Sequence, residues 1–188
     1  TCSIATGTRG TVSKHAAHRQ RRLGPATRSR PPRAKKRFGQ HFLEPAWAAK
    51  VVAAVGVTAA ETIVEIGPGR GAITKRLTET AGRVIAFEID RDLAAALYQH
   101  APPNLTIIEG NFLALTPGQF AGHIASAGGT ARIRVAGNLP YNIASPILFK
   151  LTEIASAGVP LVDATVMLQR EVADRVLAVP GTGDYGVL

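Results

Sequence analysis

The stretch Val64-Glu65-Ile66-Gly67-Pro68-Gly69-Arg70-Gly71-Ala72 puts an apolar run directly before a glycine-rich turn. Glycines at such a turn let the backbone reverse tightly and let a ligand approach where a Cβ would block it. Glu88 follows about twenty residues later, the place where an acid grips a ribose diol in nucleotide-binding α/β proteins. Gly67, Gly69 and Ala72 also satisfy G-x-G-x-x-A, so a dinucleotide site is one reading. Glu65 before the first glycine, with Pro68 and Gly71 in the loop, favours an S-adenosylmethionine site instead. A plain strand-to-helix turn is the third reading. Further on, Glu109-Gly110-Asn111 offers a side-chain carbonyl that could accept from an adenine amine. Asn111 beside Gly110 is equally a turn residue.

Ala136-Gly137-Asn138-Leu139-Pro140-Tyr141 suits a different chemistry. The exocyclic nitrogen of adenine is a poor nucleophile because its lone pair is delocalised into the ring. Acceptors aimed at its N–H bonds localise that pair and stabilise the charge that develops as a methyl arrives. The Asn138 carbonyl and the backbone carbonyl of Leu139 can supply them. Pro140 stiffens the loop and brings no competing N–H. Tyr141 offers a flat face for a flipped base. No strong base is required, since the proton can leave after transfer. The competing reading is an Asn-Leu-Pro turn with a core tyrosine.

These residues need a scaffold, and the hydrophobic pattern supplies one. It predicts helices over Pro45–Val55, Ile73–Thr80, Leu93–His100, Ile147–Ala157 and Glu171–Val179, the last stopped by Pro180-Gly181. Strands are predicted over Thr62–Ile66, Val84–Ile89, Leu105–Ile108, Ile133–Ala136 and Ala164–Leu168. Alternating strands and helices imply an α/β fold with a parallel, doubly wound sheet. Ligands on such sheets sit beyond the carboxyl ends of the strands, where all the stretches above fall.

The chain has 188 residues, 46% of them hydrophobic, enough for one core. No apolar run approaches the ~18 residues of a membrane span. A single cysteine, Cys2, excludes an internal disulfide and fits a reducing compartment. The net charge of +9 is unevenly placed. Every charge before Glu44 is positive, while acids slightly outnumber bases in the rest of the chain. Residues 1–34 lack hydrophobic periodicity, contain Pro25, Pro31 and Pro32, and are expected to be disordered in isolation. They read as a dispensable tail, as a polycationic arm for phosphates, or as an organelle transit peptide. A catalytic domain is expected over residues 35–188.

Taken together, the segments resemble the small-subunit ribosomal RNA adenine dimethyltransferases. Asn138-Leu139-Pro140-Tyr141 matches the [N/D]-[L/I/P]-P-[Y/F] signature of amino methyltransferases. Lys36 to Leu43 is similar to that family's RFGQNFL, and Asn138 to Phe149 to its NLPYNISTPLLF. Phe87 to Leu93 is similar to its second motif, Met167 to Arg175 to its MLQKEVAER, and Pro180 to Gly186 to its PG-x-x-x-YG. The resemblance implies a Rossmann-like S-adenosylmethionine-dependent fold. It implies methyl transfer to N6 of two adjacent adenosines in the 3′-terminal hairpin of small-subunit rRNA. The implied partner is the immature small ribosomal subunit, with a monomeric enzyme in the cytoplasm, or in an organelle if the basic segment is a transit peptide. His41, Leu43, Gly67, Gly69, Glu88, Asn111 and Asn138 would bind the cofactor. Asn138, Leu139, Pro140 and Tyr141 would carry the chemistry, and Arg33, Lys35, Lys36 and Arg37 would meet RNA. His41 stands where the family usually has Asn, and Asn111 where it has Asp. The family pattern continues past Gly186 into further strands and a helical domain, so a C-terminally shortened chain is expected. The rivals are a large-subunit rRNA methylase, a non-catalytic RNA-binding or assembly factor on the same fold, and a dehydrogenase.

Overall fold

A computed structural model describes residues 44–186. The basic segment 1–34, the expected RNA contacts Arg33, Lys35, Lys36 and Arg37, and the expected cofactor contacts His41 and Leu43 lie outside the described residues. Helix α1 (Pro45–Val55) starts with proline in its first turn and stops at Gly56, whose φ of 58° accommodates the left-handed cap. Then follow β1 (Thr62–Ile66), α2 (Thr74–Thr80), β2 (Arg83–Glu88), α3 (Arg91–Tyr98) and β3 (Leu105–Glu109). After a 3-10 turn at Phe112–Ala114 come α4 (Pro117–Ser126), β4 (Ile133–Asn138), α5 (Ala144–Ser156), β5 (Leu161–Met167) and α6 (Arg170–Leu177).

The strands form one parallel sheet in the order β3-β2-β1-β4-β5. The chain steps outward from β1 through β2 to β3, then crosses back to lay β4 on the other side of β1. That reversal opens a crevice between the carboxyl ends of β1 and β4, the usual ligand site of such sheets. All five residues of β1 are buried, as a central strand covered on both faces requires. One apolar layer joins Val64, Ile85 and Val135 to Phe120 of α4 and to Ile147, Leu151 and Ile154 of α5. The opposite layer joins Ile63, Val84 and Ala136 to Ala48, Val51 and Val55 of α1 and to Leu77 of α2.

The predicted elements are all present, with shifted ends. Helix α3 begins at Arg91 because the Asp90 carboxylate accepts from Asp92 N at 3.0 Å and caps it. Strand β5 begins at Leu161, earlier than expected, because it is the outer strand and its exposed Val162 and Asp163 break the apolar run. Helix α4 is absent from the predicted elements. Its signal is the sequence Thr116-Pro117-Gly118-Gln119, a capping box with proline at the first position. Gln119 N donates to Thr116 Oγ1 at 3.2 Å and Thr116 N donates to Gln119 Oε1 at 2.9 Å. The helix matters to the site because its Phe120 stacks under Phe87, 6.0 Å between centroids, while Phe112 meets Phe87 edge-on at 5.4 Å.

Candidate active site

The carboxyl ends of the strands surround a cleft of about 770 Å³. Four loops line it: Gly67 to Arg70 after β1, Glu88 and Ile89 after β2, Gly110 to Leu113 after β3, and Asn138 to Ile143 after β4. The volume is that of a small-molecule or cofactor site.

The glycine loop takes the geometry its composition anticipates. Gly67 and Gly69 have φ of 68° and 59°, the left-handed region that costs other residues energy. A Cβ on Gly67 would meet nothing within 4 Å, so its surface stays open. Gly67 N donates to Phe87 O at 2.9 Å, tying the loop to β2. Glu88 then locks it. Its Oε2 accepts from Gly69 N at 2.9 Å and its Oε1 from Asp90 N at 2.8 Å. The Ile89 N–H also pulls on the carboxylate, which keeps a further lone pair for a hydroxyl.

The electrostatics of this corner are unusual. Glu65, Glu88 and Asp90 are 1%, 3% and 2% exposed. Burial pushes the Glu65 carboxyl up to about 7; the Thr74 hydroxyl and N–H oppose the shift and the charge of Glu88 adds to it. Burial also raises Glu88, against the pull of the Asp90 and Gly69 N–H groups. Glu65 Oε2 has no hydrogen-bond partner in the protein. A buried acidic corner with an unsatisfied acceptor fits a cationic ligand.

Across the crevice, Asn138 is the last residue of β4 and pairs with Met167 of β5. Leu139 N donates to Met167 O at 3.1 Å, and Ile143 N to Pro140 O at 3.0 Å, so the Asn-Leu-Pro-Tyr loop is tethered at both ends. The Leu139 side chain is core, 5% exposed. Tyr141 is 45% exposed and lines the cleft, which removes the core-tyrosine reading. Gly137 allows the close pairing behind the loop, since a Cβ there would lie 2.9 Å from Ile66 O.

Asn111 also lines the cleft, but its carbonyl accepts from Leu113 N at 3.1 Å and caps the 3-10 turn. The turn reading of that residue is the one observed, and the oxygen keeps a second lone pair. The cleft also includes Gln169 and Ile143, which the sequence analysis left out. The end of β5 was a usable signal for Gln169, because strand termini line such crevices.

The model of the ribosomal RNA adenine dimethylase family matches residues 32–188. The chain belongs to this family. Ribosomal RNA small subunit methyltransferase A of Aromatoleum aromaticum is 48% identical over 158 residues, covering 83% of this chain and 55% of that protein. The protein of the same name in Albidiferax ferrireducens is 45% identical, with 82% and 56% covered. The chain thus spans about half the length of the curated relatives it matches. Among solved structures, a dimethyladenosine transferase from Plasmodium falciparum superposes with a TM-score of 0.60 at 27% identity, over 76% of this chain and 48% of that one. The 23S rRNA methyltransferase ErmE gives 0.60 at 26% identity, over 78% and 53%. The fold is accordingly the Rossmann-like methyltransferase fold shared by both.

Proposed function

We propose that this chain carries the catalytic half of a small-subunit rRNA adenine N6,N6-dimethyltransferase that uses S-adenosylmethionine. The observation that supports it is the meeting of two specialised loops at one crevice. The glycine loop with Glu88 lies on the β1 side, and Asn138 to Tyr141 on the β4 side. Relatives at 43–48% identity bear the small-subunit name, which favours that subunit over the large one.

When bound, S-adenosylmethionine would supply an electrophilic methyl group. Gly67 and Gly69 would cradle it, Glu88 would hold its ribose, and Asn111 would approach its adenine. His41 and Leu43 are assigned to the same ligand by resemblance. On the substrate side the Asn138 carbonyl, with the backbone carbonyl of Leu139, would accept from the adenine amine and keep its lone pair localised. Tyr141 would stack on the flipped base, and the apolar body of the loop would exclude water. Arg33, Lys35, Lys36 and Arg37 would engage rRNA phosphates. The partner is the immature small subunit, met as a monomer in the cytoplasm. No described helix is long and apolar enough to cross a membrane.

The test is calorimetric binding of S-adenosylmethionine, followed by incubation with labelled cofactor and separate immature small and large ribosomal subunits. Binding followed by label in small-subunit adenosines is the expected result. Label only in the large subunit would transfer the assignment to the other rRNA methylase class. Binding without label in either would favour a non-catalytic role for this chain.

A further inference from the structure

Glu65 is used by no step above, yet it lies in the wall of the cleft. It sits at the end of the central strand, in register with Ala86 of β2 and Ala136 of β4. It is 1% exposed and lines the cavity. Its Oε2 is without a hydrogen-bond partner among the described residues.

The groups around it leave its charge uncompensated. From β2 it faces the like charge of Glu88, and Asp90 follows at the start of α3. From α2 it meets Thr74, which is neutral. The buried side chains of α1 in that layer are Ala48, Val51 and Val55. Arg70, on the glycine loop, lines the same cleft but is exposed. Glu88 already takes two backbone N–H groups that favour its ionised form, whereas Glu65 leaves one oxygen bare. Of two acids sharing a dry corner, the less well-donated one keeps the proton.

We infer that Glu65 is protonated in the free protein and releases that proton to solvent when a cationic ligand, here the cofactor, enters the cleft. The inference rests on the S-adenosylmethionine reading above. The step balances simply: the Glu65 O–H bond breaks, the proton passes to buffer, and the carboxylate left behind faces a positive charge of the ligand. A nearby opposite charge is what makes ionisation of a buried carboxyl favourable. Cofactor uptake is thereby linked to pH near neutrality, without any part for Glu65 in methyl transfer.

The experiment is titration calorimetry of the full chain with S-adenosylmethionine in two buffers of different ionisation enthalpy. With the Glu65 carboxyl at about 7, release of about 0.9 proton per site is expected at pH 6, falling to about 0.5 at pH 7. Affinity should rise about fivefold between those pH values, because less proton remains to be expelled. Below pH 7 the ligand's own amine is already charged, so it does not obscure the count. In Glu65→Gln the release and the pH dependence of affinity should both fall to the part that the raised Glu88 contributes. Binding with no proton release, or equal release from the variant, overturns the proposal while leaving the cofactor assignment intact. Absence of any binding overturns the cofactor assignment itself. Should the variant fail to fold, carboxyl-carbon NMR of the unaltered chain decides. A glutamate titrating near neutrality and moving well down on ligand addition is expected, and the lack of any glutamate titrating above pH 6 refutes it.

Discussion

Replacing Glu65 by Gln should change how stability depends on pH, and the size of the effect follows from the structure. The Glu65 carboxyl is raised from 4.5 to about 7, chiefly by burial. The folded chain therefore binds more protons than the unfolded chain between those values. Its contribution to stability is fully present below pH 4.5 and is lost as the pH rises through 7. A shift of that size corresponds to about 3 kcal/mol. Gln is neutral throughout and does not incur this loss. It does bring an amide NH2 into a corner with few acceptors, at a cost of about 1–3 kcal/mol that is independent of pH. The diagnostic quantity is thus the change in the difference, not the difference itself. About 2.5 kcal/mol of the loss falls between pH 5 and pH 8, so thermal melts at those two values should show the variant gaining about 5–10 °C on the parent, at about 2–4 °C per kcal/mol for a chain of this size. Glu88 remains in both proteins, and its raised carboxyl adds a slope of the same sign to each. Melting curves that stay parallel from pH 5 to pH 8 would show that Glu65 is not titrating in this window.

Asn138→Ala should reduce methylation at least a hundredfold while cofactor affinity falls far less, checked by single-turnover labelling beside calorimetry; undiminished labelling would remove the assigned role. Gly82→Ala should destabilise by about 2–3 kcal/mol in urea titrations, because the new Cβ would overlap the Ala59 carbonyl oxygen, and backbone cannot step aside. Thr116→Ala removes the Oγ1 acceptor of the α4 capping box, which takes the Gln119 N–H, while the backbone N–H of residue 116 stays, and it should cost about 1 kcal/mol by the same assay. Deleting residues 1–34 should flatten the salt dependence of RNA affinity, since the segment carries only positive charge, and an unchanged slope would return it to a dispensable tail.

Much of the molecule was legible before any coordinates. The alternation of apolar runs revealed five strands and their helices, because side-chain period is a local property of the backbone. The glycines at 67 and 69, the acid at 88 and the Asn-Leu-Pro-Tyr run were legible as residues for the ends of strands, and the structure brings them all to one cleft. Helix α4 was hidden for a local reason too: Pro117, Gly118 and Gly122 mask its apolar stripe, and only the capping box betrays it. Other features depended on tertiary packing. Strand order decided that the loops after β1 and β4 would face each other, because the crossover between them reverses the sheet. Packing decided that Tyr141 stays at the surface and that Asn111 spends one lone pair on its own turn. Above all, it decided the state of Glu65. A carboxyl in a strand is written in the sequence, but its proton affinity is set by the water it loses and the charges brought beside it, and those arrive only when distant segments close over it.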